Sequence, residues 1–265
     1  MCRTSVVIEA VTTSLTLTTV KVGATLMSKQ RVKKRFTSEV NIIDFQPYLP
    51  AKKQRVSLYA RGTNQQTYLN KLQDDSKSIV FAIGPAGTGK TMLAVQVGIK
   101  LFQEGKVDKI IVTRPAVSVD EDLGFLPGTL NEKMAPWTRP IFDVFGEYYQ
   151  QKDIAKMLEE GVIEISPLAY MRGRTFKNAY IVADECQNTT VNQMKMLLTR
   201  LGEGSKMVVT GDLAQADRVN DNGLIDFCNL IANKSQLKHI DIVQFEAKDI
   251  ERHNAVKEVL AVYGD

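Results

Sequence analysis

The 265-residue chain is poor in several residue types whose scarcity is informative. It has three cysteines, two histidines and one tryptophan, and aromatics make up only 7% of it. Cys2, Cys186 and Cys228 are odd in number and widely scattered, which excludes a disulfide framework and fits a reducing, cytoplasmic compartment. His239 and His253 show no metal-ligand spacing. No stretch approaches the roughly 18 uncharged apolar residues that a membrane-spanning helix needs, so no membrane association is expected. A secretory signal is not expected either, because Glu9 interrupts the first apolar region and no small-residue cleavage site follows it. Internal repeats and low-complexity tracts are missing from the body of the chain.

Charge is unevenly placed. Residues 1–61 hold 11 Lys+Arg against 3 Asp+Glu, whereas residues 62–265 hold 23 against 27. The basic character therefore belongs to the N-terminal arm, densest at Lys29, Arg31, Lys33, Lys34 and Arg35, a run suited to phosphate backbones or simply to solvent. Residues 1–26 are hydroxyl-rich and precede a second methionine, Met27, so they read as a disordered extension or as lying upstream of the translation start. The expected organisation is a basic, partly disordered extension and linker over 1–61, then one folded domain over 62–265.

Within that domain short β-branched runs alternate with helical stretches. Strands are expected at 79–83, 109–113, 162–165, 179–184, 206–210 and 240–244, with helices at about 90–104, 191–201, 222–233 and 249–263. This alternation predicts an α/β fold, a mostly parallel sheet with helices on both faces. The segment 116–160, rich in proline, acids and aromatics, is expected to be a helical insertion that leaves the sheet layer.

Three strand ends carry chemistry. The first strand runs into Gly84-Pro85-Ala86-Gly87-Thr88-Gly89-Lys90-Thr91, followed by the helical Met92-Leu93-Ala94. This is G-x-x-x-x-G-K-[ST] in its required strand-loop-helix context. Glycines allow backbone N–H groups to converge on phosphates, and the helix N-terminus adds its positive dipole end. Lys90 would meet the β- and γ-phosphates of ATP, and the Thr91 hydroxyl would ligate Mg²⁺. Next, the apolar strand ending in Asp184-Glu185 supplies a second metal ligand in Asp184 and, in Glu185, a base to polarise the attacking water. A third strand end, Gly211-Asp212-Leu213-Ala214-Gln215, offers Gln215, with Asp212 in support, as a sensor of the γ-phosphate or the lytic water. Upstream, Asn64-Gln65-Gln66-Thr67-Tyr68 could supply an amide to read adenine and a ring to stack on it.

With their surroundings these residues resemble the PhoH-like family of P-loop ATPases. The match is carried by Gly84–Thr91, Thr113-Arg-Pro-Ala-Val117, Leu123-Gly-Phe-Leu-Pro-Gly128, Ala169-Tyr-Met-Arg-Gly-Arg-Thr175, Asp184-Glu-Cys-Gln-Asn-Thr-Thr190, Leu198-Thr-Arg-Leu-Gly202, Ser205–Asp212 and Arg252-His253. The resemblance spans about residues 60–263. It implies a RecA-like P-loop NTPase core similar to that of superfamily 1 helicases, Mg²⁺-dependent ATP hydrolysis, a hexameric ring and a link to RNA. By analogy Gln65 becomes the adenine reader. The chain departs from many relatives at Cys186, where alanine is usual, and in the Asn-Ala that follows His253. Its first 60 residues are too few for a PIN-type nuclease or a complete KH domain, so the resemblance is to a short, core-only form and argues against intrinsic nuclease activity.

Fast γ-phosphate cleavage usually needs an arginine against the transition-state charge. A one-lobed chain must supply it from its own core or from a neighbouring subunit, and Arg172, Arg174, Arg200 and Arg252 are the candidates. Two functional readings follow from the sequence. The first is ATP hydrolysis coupled to binding or remodelling of single-stranded RNA or DNA. The alternative is a nucleotide-gated assembly protein with slow turnover; a small-molecule kinase is a weaker third, since paired Asp184-Glu185 suits water attack better than transfer to an acceptor.

Overall fold

In the computed structural model the described residues are 54–115, 130–216, 221–232, 234 and 237–263. All belong to one compact unit, Tyr48–Asp265. The basic run at 29–35 and the sequence motif at 123–128 lie outside the described residues, as does most of the expected 1–61 extension.

The described chain alternates helix and strand in the order α1 (Thr63–Gln73), β1 (Ile79–Ile83), α2 (Lys90–Gln103), β2 (Lys109–Thr113), α3 (Leu130–Tyr148), α4 (Gln151–Glu159), β3 (Ile163–Ile165), β4 (Ala179–Ala183), α5 (Val191–Leu198), β5 (Lys206–Gly211), α6 (Gly223–Ala232), β6 (Ile240–Gln244) and α7 (Asn254–Tyr263). The strands form one six-stranded sheet, ordered β3-β2-β4-β5-β1-β6, and every pairing is parallel. Runs such as Ile79-Val-Phe-Ala-Ile83 are buried on both sides because helices cover both faces.

The pleat divides the core in two. Val80, Ala82, Ile110, Val112, Tyr180, Val182 and Val208 point to the face covered by α1, α2, α3 and α4. Phe81, Ile111, Ile181, Met207 and Val209 point to the other, under α5, α6 and a short 3-10 turn at Leu168–Met171. Each such fully buried aliphatic or aromatic side chain contributes about 1.5–3 kcal/mol.

Four differences from the sequence reading have physical reasons. The described part of the 116–160 segment is helical, but it does not leave the sheet layer: Ile141, Val144, Phe145, Ile154 and Met157 join the same core as β1, β2 and β4. Val56, Leu58 and Ala60 pack against that core too, so the folded region reaches upstream of residue 62. The last helix starts at Asn254 and not near 249, because the segment before it is spent on a 3-10 turn at Ala247–Asp249 and on a backbone bond from Glu251 N–H to the Gly87 carbonyl at 2.9 Å. Helix α5 stops at Leu198, after which Arg200 and Leu201 turn back beside Phe176.

Candidate functional site

The tips of β1, β4 and β5 are adjacent in the sheet, so the loops that follow them meet at one carboxyl edge. Between them lies a cavity of about 250 Å³ lined in part by Gly87, Lys90, Thr91, Asp184, Glu185 and Gln215. The three strand ends singled out in the sequence are thus brought together.

The phosphate loop is held by backbone packing that only glycine permits. Gly84 has φ +144°, and a Cβ there would stand 2.3 Å from the Phe245 carbonyl oxygen at the end of β6. Helix α2 begins at Lys90 after Gly89, with no side-chain cap and no acid in its first turn. Its first N–H groups are left for an anion, where the helix dipole favours one. The Lys90 ammonium donates to the carbonyls of Gly84 and Pro85, both at 2.7 Å, and burial pushes its pKa below the ordinary lysine value against the pull of Asp212, Glu185 and Asp184. Pro85 also accepts from the Thr88 hydroxyl at 3.0 Å, while Ala86 N–H donates to Asp212 Oδ2 at 3.2 Å. Met92, 38% exposed, borders the cavity.

Asp184 is the pivot of the carboxylate side. Its Oδ1 accepts from the hydroxyls of Thr91 and Thr210, each at 2.6 Å, which ties the tips of β1, β4 and β5 to a single oxygen. Two threonine hydroxyls converging on a buried carboxylate form a hard, all-oxygen donor set, and Mg²⁺ fits such a set through Thr91 and Asp184. Glu185 follows in left-handed backbone geometry, φ 55°. That conformation is uncommon outside glycine, and Glu185 is among the residues that line the cavity. There it accepts from the Gln187 amide and lies 4.0 Å from an Arg114 guanidinium nitrogen.

Gln187 and Arg114 are residues at the site that sequence reasoning did not single out. Gln187 is buried; its Oε1 accepts from Asp212 N–H at 3.2 Å while its amide holds Glu185, so one side chain links the second and third strand ends. Arg114 leaves the tip of β2, donates to the Trp137 carbonyl of α3 at 3.2 Å, and keeps a buried Nε with no partner among the described residues. Both sit inside strings already quoted, Asp184–Thr190 and Thr113–Val117, and that was the only signal available.

The other candidates fall in different places. Gln215 lines the cavity. Gln65 is buried beneath the phosphate loop, accepting from Arg61 N–H at 2.8 Å and donating to the Thr88 carbonyl at 3.0 Å, so its amide braces the loop. Tyr68 cannot stack on adenine: it is fully buried, edge-on to Phe245, with burial holding its hydroxyl far above the usual tyrosine pKa. Arg252 is exposed beside the loop, its Nε 3.8 Å from where a Cβ on Gly87 would stand. Arg174 and Arg200 do not reach the phosphate cavity of their own chain. Arg174 makes a two-pronged ion pair with Glu164 and lies over the Phe176 ring, and Arg200 donates to the carbonyls of Met196 and Arg174.

A parallel sheet with a glycine-rich cradle, a buried lysine and a metal-suited carboxylate at adjacent strand tips defines the P-loop NTPase class. The PhoH-like protein family model matches residues 57–264. PhoH-like proteins of Mycobacterium bovis and Bacillus subtilis are 47% and 44% identical over 76% and 78% of this chain, covering 56% and 64% of their own lengths. Protein PhoH of Escherichia coli is 40% identical over 89% of this chain and 67% of its own. The chain belongs to the PhoH-like family, and it spans just over half the length of the mycobacterial relatives it matches. Among solved structures, the Sulfolobus solfataricus SWI2/SNF2 ATPase core in complex with dsDNA aligns at 18% identity and a TM-score of 0.38, over 67% of this chain and 36% of that one, a likeness too loose to carry a conclusion. Among the described residues no helix is long and apolar enough to cross a membrane.

Proposed function

We propose that this P-loop protein hydrolyses ATP with Mg²⁺ and couples the hydrolysis to binding or remodelling of single-stranded nucleic acid, RNA in the first instance, in the cytoplasm. The observation that carries the reading is the meeting of Lys90, Thr91, Asp184 and Glu185 around one cavity. In it the α2 N-terminus and the Gly87–Thr91 amides cradle the phosphates, and Lys90 exchanges its two loop carbonyls for phosphate oxygens. Thr91 and Asp184 would hold Mg²⁺, which when bound would supply positive charge beside the phosphates. Glu185, steadied by Gln187 and Arg114, accepts the proton of the attacking water. Gln215 stands at the third strand end, placed to report the state of the terminal phosphate.

Arg252 stands exposed beside the phosphate loop, and assembly into a homo-oligomeric, hexameric ring would bring in the arginines of a neighbour. A row of exposed apolar residues on α7, Val256, Val259 and Val262, supports assembly, since soluble monomers rarely leave such a row open. Phosphate release from ATP, measured with and without Mg²⁺ and titrated with single-stranded RNA or DNA, tests the reading. Wild type should turn over only with the metal, and Lys90→Ala should lose about 100- to 1,000-fold. Equal turnover in the two proteins overturns it.

A further inference from the structure

A second cavity, about 880 Å³, opens between the Leu168–Met171 turn after β3 and helix α5. Its lining includes Arg172, Lys195 and Arg200 with Asn192 and Gln193, and no carboxylate among the described residues. This contrasts with residues 62–265 as a whole, where acids outnumber bases by 27 to 23. Arg172 and Lys195 are exposed and make no ion pair among the described residues. Tyr170, on the turn that forms one wall, is 64% exposed. The two walls are fastened together: Arg200 on the α5 side donates to the Arg174 carbonyl at 3.0 Å, and Arg174 is itself locked onto Glu164 of β3.

We infer that this cavity is the seat of a single nucleic-acid strand, its backbone phosphates on Lys195 and Arg172 and one unstacked base on the Tyr170 ring. The inference rests on the nucleic-acid reading above and gives it a location. Cations without carboxylate partners gain by meeting phosphates, because condensed counterions are released. Tyr170 is not itself in the lining but follows Ala169, which is, and its exposed ring offers a face that any base can use, whereas a duplex keeps its bases stacked inside. The position also offers a route to the nucleotide. Helix α5 is capped by Thr190, five residues after Glu185, so a strand pressing on α5 bears on the segment that carries the base.

The test measures binding of labelled 12-nucleotide RNA and DNA strands, and of a duplex, to the full chain across a salt series. ATP turnover is measured with and without strand. Wild type should bind a single strand more tightly than the duplex. Tyr170→Ala should weaken strand binding roughly tenfold, and Lys195→Ala should lower the salt slope by about one. Both should leave turnover without strand unchanged and blunt its response to strand. If wild type binds a strand but both variants bind it with unaltered affinity and salt slope, the location is wrong while the nucleic-acid reading stands. If wild type binds neither RNA nor DNA, both fall. Loss of basal turnover in both variants would mark the groove as structural and overturn the inference.

Discussion

The two cavities differ in how their charges are held. Every described ionic group that lines the phosphate cavity is committed: Lys90 to two carbonyls, Asp184 to two hydroxyls, Asp212 to the Ala86 and Ala214 amides, and Glu185 to Gln187. Around the basic cavity Arg172 and Lys195 stand in solvent and only Arg200 is fixed. A site that stabilises charge developing at one atom needs donors set in advance. A surface that follows a flexible strand needs mobile cations and loses little by leaving them loose. Substitutions in the first cavity should therefore change rates at saturating nucleotide, and those in the second should change affinity and its dependence on salt.

The sharpest way to break that contrast is Glu185→Gln. Turnover should fall about 100- to 10,000-fold while affinities for ATP and for a nucleic-acid strand hold, as read by steady-state kinetics beside fluorescence titration. A matching loss of nucleotide affinity would show that Glu185 serves binding and would remove the contrast. Arg114→Ala should have a smaller effect, a fall in kcat of about tenfold with KM nearly constant, since Arg114 stands beside the Glu185 carboxylate and is not among the residues that line the cavity. Arg114→Lys should restore part of it by returning a cation to the carboxylate. Smallest is a chemical probe of rigidity. Burial pushes the Cys186 thiol, next to Glu185, well above its ordinary pKa and that of Cys228 up to about 11. A raised thiol pKa means less thiolate at any given pH, so at about pH 8.5 both should alkylate far more slowly in the folded chain than in denaturant, with mass spectrometry reading the two sites. Rapid labelling of Cys186 alone would show that the carboxylate side is loosely held.

Much of this was legible from the residues, and the misses share a cause. Strand positions came within one residue because each is a short buried β-branched run, and a parallel sheet needs such runs to be apolar on both sides. Lys90, Thr91, Asp184 and Gln215 were legible because a strand end fixes where its next residues stand. What was not legible depends on long-range partners. Nothing local to Tyr68 says that Phe245, far along the chain, closes over it. Nothing local to Pro136 and Pro140 says that a helix runs through both and lays Ile141, Val144 and Phe145 on the sheet. Gln187 and Arg114 escaped because their roles lie in bridging two loops, which no spacing encodes.

The bond from Glu251 to the Gly87 carbonyl has one more consequence. The stretch after β6 clasps the nucleotide cradle just before the chain enters α7, and Asn64 at the opposite end of the domain grips Asp249 in the same stretch, at 2.7 Å. A tug on the final helix would therefore reach the phosphate loop through a few covalent links and one amide.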